Sequence, residues 1–175
     1  MNAVPTRRDE LWRYSDFAAI EALWPPAATR KIALAEGDAQ EEVVHILDGG
    51  IHDVRIDLAD GATLRIAFLL QSASYARVEV EAHLGQGASL DLGGAILGTD
   101  SVTQELVTRI HHDRPDASSR QRVRVVVDER ATGNYLGRIT VERGAQKTDG
   151  AQSARALVLK RTATANLKPE LVIYA

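Results

Sequence analysis

The sequence predicts an all-β protein that leans towards a β-solenoid, with a short helical segment at its N-terminus. Three observations carry this reading. From Val43 onward, apolar residues recur with period two through a long series of short segments. Gly61-Ala62-Thr63-Leu64-Arg65-Ile66 and Gly87-Ala88-Ser89-Leu90-Asp91-Leu92 repeat one pattern 26 residues apart, as stacked coils do. No long helical stretch separates the alternating segments, which disfavours helix-crossover α/β folds. A sandwich or barrel would alternate in the same way, and Asp60-Gly61 and Asp149-Gly150 would then be its hairpin turns.

The elements follow in order. Residues 6–24 read as helix. Thr6 stands at a cap position with Asp9 three residues on, and Leu11, Trp12, Ser15 and Ala18/Ala19 keep a helical period. Asp16 caps a second short turn through Leu23, and Pro25-Pro26 stops the helix. Trp12, Tyr14, Phe17 and Trp24 lie here, and their expected role is to pack this segment (residues 1–26) onto the rest of the fold. The β-domain is expected over residues 43–175. Its inward rows run Val54/Ile56/Leu58, Leu64/Ile66/Phe68, Val78/Val80/Ala82/Leu84, Leu90/Leu92, Leu106/Thr108/Ile110, Val123/Val125/Val127, Ile139/Val141, Leu157/Leu159 and Leu171/Ile173. A small residue precedes the apolar pairs, with looser echoes at Gly144-Ala145 and Ala163-Thr164-Ala165. The mostly aliphatic inward positions suit narrow coils.

Composition narrows the function. Of 175 residues, 45% are hydrophobic and 26% charged, so the chain can bury a core without staples. There is no cysteine, which excludes a disulfide framework, a thiolate nucleophile, Cys-ligated zinc and Cys-ligated Fe–S clusters. The apolar runs fall short of the roughly 20 residues that span a bilayer. The first residues carry charge with no apolar segment behind, so a secretory signal is not expected and the cytoplasm is. Residues 1–100 hold 8 Lys/Arg and 16 Asp/Glu, whereas residues 101–175 hold 13 and 8. The basic half contains Arg120-Gln121-Arg122-Val123-Arg124-Val125, whose arginines alternate with apolar residues on the outer face of a strand. No stacking aromatics interleave with them, so nucleic-acid binding is not expected; steep salt dependence would be its sign.

Candidate chemistry is sparse. His111-His112-Asp113 is the densest cluster. With Ile110 inward, His112 faces inward too and His111 joins Arg109 outside, so the two histidines do not share a metal. A strand end at Arg114-Pro115 is the better reading. His83 lies with Glu79 and Glu81 on one polar face, a possible surface metal site that reads more simply as solvated. His45 and His52 flank an acidic loop without an evident partner. Gly85-Gln86-Gly87 is a turn, and Gly93-Gly94 with Gly98 makes no nucleotide loop. Lys147-Thr148-Asp149 reads as a turn between coils. No catalytic, cofactor-binding or metal residue is assigned.

Two stretches carry a family resemblance. One is Pro5-Thr6-Arg7-Arg8-Asp9-Glu10-Leu11-Trp12-Arg13-Tyr14-Ser15-Asp16-Phe17. The other runs from Ser118-Ser119-Arg120-Gln121 through Tyr135-Leu136-Gly137-Arg138-Ile139 and Gly144-Ala145-Gln146-Lys147-Thr148-Asp149-Gly150 to Lys168-Pro169-Glu170-Leu171-Val172-Ile173-Tyr174-Ala175. They resemble the SufB/SufD family of SUF iron–sulfur cluster assembly scaffolds, nearest its SufD branch. The resemblance covers residues 5–17 and 76–175 and implies a right-handed parallel β-helix. It implies a non-enzymatic subunit acting with a SufB-like scaffold and a SufC-like ATPase, with Fe–S clusters and ATP handled on other subunits and no cofactor of its own. Family members are about twice this length or more, and residues 25–75 look compressed. The aspartate pair, Cys/His stretch, further coils and helical segment that follow in the family have no counterpart here, so none of their residues carries over. The chain then reads as a fragment, an expressed piece of a longer protein, or a shortened paralogue. An open coil end at Glu170, Leu171, Val172, Ile173 and Tyr174 is the expected partner interface, or the seam of a homodimer. The alternative is a β-helix enzyme or binding module using the His83/Glu79/Glu81 face or the His111–Asp113 region.

Overall fold

A computed structural model describes residues 4–26 and 28–174. Met1, Asn2, Ala3, Ala27 and Ala175 lie outside it, including the last residue of the Tyr174-Ala175 ending and the first three residues weighed as a leader. Eleven strands follow a short N-terminal segment: β1 (Thr29–Leu34), β2 (Ala39–Ile46), β3 (Gly50–Leu58), β4 (Thr63–Leu70), β5 (Ala76–Leu84), β6 (Ser89–Gly98), β7 (Thr103–His112), β8 (Ser118–Val127), β9 (Thr132–Val141), β10 (Asp149–Val158) and β11 (Thr164–Ile173). Odd strands form one sheet in the order β1-β3-β5-β7-β9-β11, and even strands the other in the order β2-β4-β6-β8-β10. Every pairing between neighbouring strands is parallel. Each circuit of the chain thus adds one strand to each sheet, which is a parallel β-solenoid rather than a sandwich or barrel.

The repeat seen in the sequence is the corner of a coil. Gly61 and Gly87 adopt positive φ (68° and 65°), a conformation glycine takes without a Cβ penalty. Each sends its N–H to the next coil, Gly61 to the Gln86 carbonyl and Gly87 to that of Pro115. Gly37 starts the series, bonding the Asp60 carbonyl. Ala62 and Ala88 follow the glycine corners and Ala117 follows Asp116, which also has positive φ (62°); all three alanines are buried. Asp60-Gly61 is therefore a corner between sheets, and Asp149-Gly150 opens β10. The coil grows along the axis. Thr29 pairs with Asp53, 24 residues on, whereas Thr132 pairs with Thr164, 32 residues on. The early coils are the shorter ones.

Burial follows the predicted parity through the middle coils. Val54, Ile56, Leu58, Leu64, Ile66, Phe68, Val78, Val80, Ala82, Leu84, Leu90 and Leu92 all enter one core. Burial of each aliphatic side chain stabilises by roughly 1.5–3 kcal/mol. Three expectations are corrected. Strands begin at Thr29, not Val43; β1 fully buries only Ile32, and Thr29, Arg30 and Lys31 before it are exposed, so its alternation is weak. Leu157 and Leu159 do not face inward. Register sets Ala154 beside Val123 and Ala156 beside Val125, so Leu157 points outward, and Leu159 lies past the strand end. Lastly, residues 6–24 do not form one helix. A 3-10 turn spans Glu10–Trp12, and the α-helix α1 is confined to Phe17–Leu23. Asp16 caps α1 as expected, accepting from the N–H groups of Ala18 and Ala19, while Asp9 accepts from the Thr6 N–H at 2.7 Å.

The N-terminal segment lies on the outer face of the odd sheet. Ile20 packs with Ile51 and Tyr75, flanked by Trp12, Phe17 and Trp24. Val107 and Leu136 are outward by parity yet buried. Asn134 fixes the segment by donating from Nδ2 to the Tyr14 carbonyl at 3.0 Å.

Candidate functional site

Parallel stacking turns each outward position into a row across the odd sheet. One row sets Arg55, Glu81, Arg109, Arg138 and Glu170 side by side. The next sets Asp57, His83, His111, Thr140 and Val172. At the N-terminal end of this face, Arg77 and Glu105 are adjacent and wholly buried, 2.7 Å apart. Arg77 also donates to Ser15 Oγ and the Leu11 carbonyl, and the Trp12 ring centre lies 3.6 Å from its guanidinium carbon. This charge pair docks the N-terminal segment.

The predicted interface residues fall on and just beyond β11, the last strand of the odd sheet. Glu170 is not free. It accepts from Arg138 Nε at 2.9 Å and pairs with Lys168 at 2.8 Å, while Glu10 contacts both cations. Hydrogen bonds from Lys168 hold the carboxyls of Glu170 and Glu10 below the usual range, helped by Arg138. Leu171 and Ile173 occupy inward rows, beside Ile139 and Val141, but no described coil covers them and they are 54% and 63% exposed. Val172 lies in the outer row beside Thr140. Tyr174 is exposed and its N–H bonds the Val141 carbonyl. Val158 stands in the inward row beside Val127 and is exposed as well, whereas exposed Leu157 faces outward from the even sheet. The arginines of β8 face outward as read, with Arg122 held by Asp91 at 2.9 Å and Arg124 by backbone carbonyls.

The histidines separate as the alternation requires: His112 is buried in the core, and His111 is outside beside Arg109. Glu79 turns to Arg109 at 2.8 Å and to Arg77 at 3.4 Å. It leaves the predicted His83 group, and His111 takes its place, stacked on His83 with ring centres 4.7 Å apart. Lys147 lies in a turn at φ 57°, Thr148 Oγ1 donates to the Ala145 carbonyl, and Asp149 begins β10.

A polar core in the later coils was not anticipated. Thr108 Oγ1 donates to Gln121 Oε1 at 2.6 Å. The Tyr135 hydroxyl lies 3.2 Å from the same oxygen and 3.0 Å from Gln152 Oε1, and burial pushes its pKa up to about 12. His112 Nε2 lies 2.8 Å from Ser119 Oγ. Burial holds His112 below the usual imidazole range, against the opposing pull of Asp113 and Asp149. The unfolded chain therefore binds a proton near pH 6.5 that the folded chain refuses. The resulting stability is complete above that pH and is lost as pH falls below it. His111, lowered first by burial and then by His83, acts in the same direction. The fall in melting temperature from neutral pH to about pH 5 should shrink in His112→Gln. An identical fall in both proteins would show that His112 is not the group responsible.

The described residues define a class by fold: a parallel β-solenoid with a salt-bridged outer face and exposed apolar residues on its last described strands. Residues 38–175 match the family described as SUF system FeS cluster assembly, SufBD core domain, and the chain belongs to it. It is 26% identical over 119 residues to the iron-sulfur cluster assembly protein SufD of Escherichia coli (strain K12), covering 67% of this chain and 28% of that protein. It is 38% identical over 93 residues to protein ABCI7, chloroplastic, of Arabidopsis thaliana, covering 53% of this chain and 20% of that protein. The matches thus span less than a third of either relative. Among the described residues, no helix is long and apolar enough to cross a membrane.

Proposed function

We propose that this chain is a SufD-like, non-enzymatic scaffold element of an iron–sulfur cluster assembly complex. Its terminal coil meets a SufB-like scaffold, and the complex includes a SufC-like ATPase. The observation that carries this reading is the family match over residues 38–175 on a parallel solenoid whose last described strand exposes Leu171 and Ile173. A solenoid buries its inward rows by stacking, so exposed inward-row residues on the last described strand fit a surface stacked against them. Iron–sulfur clusters are cargo of the assembled complex and ATP belongs to the ATPase subunit. A second copy of this chain is the competing occupant of the same end.

Size-exclusion light scattering of the chain, alone and mixed with SufB-like and SufC-like proteins, tests this. A shared peak with the SufB-like protein is expected, abolished by Ile173→Asp. A chain that elutes at the same mass with and without both proteins contradicts the proposal. A self-dimer lost in Ile173→Asp that ignores both proteins assigns the surface to the second copy instead.

A further inference from the structure

We propose that Glu81, His83 and His111 form a site for a divalent transition-metal ion on the outer face of the odd sheet, with Asp113 orienting His83. The three residues come together only through the coil register, which pairs His83 with His111 and Glu81 with Arg109. One nitrogen from each imidazole and a carboxylate oxygen of Glu81 all lie within 4.8 Å of one another. Closing onto a common ion at bonds of about 2.0–2.2 Å asks each side chain to move by less than about 1 Å. The backbones that carry them are ladder-paired strands, so the shift is one of rotamers.

The details suit a ligand set better than a solvated charge cluster. His111 Nε2 is shielded from solvent and has no hydrogen-bond partner, its nearest carboxylate oxygen being Glu81 Oε1 at 3.6 Å. A shielded imidazole nitrogen without a partner carries a desolvation cost that a metal bond would remove. Glu81 Oε2 is held by Arg55, which leaves Oε1, between Arg109 and His111, as the oxygen for an ion. Asp113 Oδ2 lies 2.8 Å from His83 Nδ1 and accepts its proton, which fixes the tautomer and leaves Nε2 as a donor to metal. Burial, and after it the neighbouring His83, lower the pKa of His111, the direction that favours a ligating imidazole. Two imidazoles and one carboxylate make a nitrogen/oxygen set suited to zinc or ferrous iron, and the half-exposed face leaves positions for water.

The test is calorimetric titration of Zn2+, as its chloride, into the tag-free chain at neutral pH, with thermal melting as the second readout. The expected result is saturable binding of one ion and a rise in melting temperature with added Zn2+. Binding should weaken at least about tenfold in His83→Ala, in His111→Ala and in Glu81→Gln, and remain unchanged in His45→Ala. All these side chains are partly or largely exposed, and melting without metal verifies that each variant is folded. Absence of saturable binding by the wild-type chain overturns the proposal. So does wild-type affinity in the folded His83→Ala/His111→Ala double variant.

Discussion

Replacing Arg77 with alanine should cost about 3–5 kcal/mol of folding stability, the usual penalty for leaving one member of a buried ion pair without the other. Arg77 and Glu105 are both fully buried, and Arg77 ties β5 to two separate points of the N-terminal segment, Leu11 and Ser15. Without the guanidinium, Glu105 keeps a single partner for its Oε2, the Ser15 hydroxyl at 2.7 Å. The Trp12 ring loses the cation beneath it, so tryptophan fluorescence should report the release of the segment before the solenoid melts. Replacing both charges together, as Arg77→Met with Glu105→Leu, should recover most of the loss, since matched apolar groups need no partner. Urea unfolding of the three proteins measures this. A loss below about 1 kcal/mol in Arg77→Ala would mean the pair is not sealed from water.

Gly137→Ala should cost about 3 kcal/mol although it adds one methyl group. Gly137 lies in an inward row between Thr108 and Pro169. A Cβ there would sit 2.1 Å from the Tyr135 hydroxyl and 2.4 Å from Gln152 Oε1. The hydroxyl must leave, and Gln121 and Gln152 then lose its hydrogen bond inside the core. Gly144→Ala is the comparison, because nothing lies within 4 Å of its Cβ position and only its φ of 89° opposes the change. If Gly137→Ala melts like the wild type, the coil has room the structure does not show.

Period-two alternation with a repeated Gly-Ala corner located the middle strands and their inward faces, because both signals are local. Ile56, Leu64, Val80 and Leu92 face inward for the same reason His112 does, and all were legible. What failed was information held between coils. His83 and His111 are 28 residues apart in sequence and adjacent only through register, so the site on this face was read as His83 with Glu79 and Glu81, of which Glu81 remains. Arg77 is outward by parity, like Glu79 and Glu81, and only the N-terminal segment buries it. The polar core was half legible: the alternation that puts Arg120 and Arg122 outside puts Gln121 inside, but its partners Thr108 and Tyr135 sit on other strands. Leu157 and Leu159 misled because β10 faces the interior with alanines, leaving its larger residues outside.

Hydrogen exchange of this chain, with and without a SufB-like protein, tests the central claim most directly. The account predicts new protection concentrated in residues 164–174, whose outer strand edge has no partner among the described residues, with the buried coils unchanged. Protection confined to other parts of the solenoid, or none at saturating partner, would contradict it.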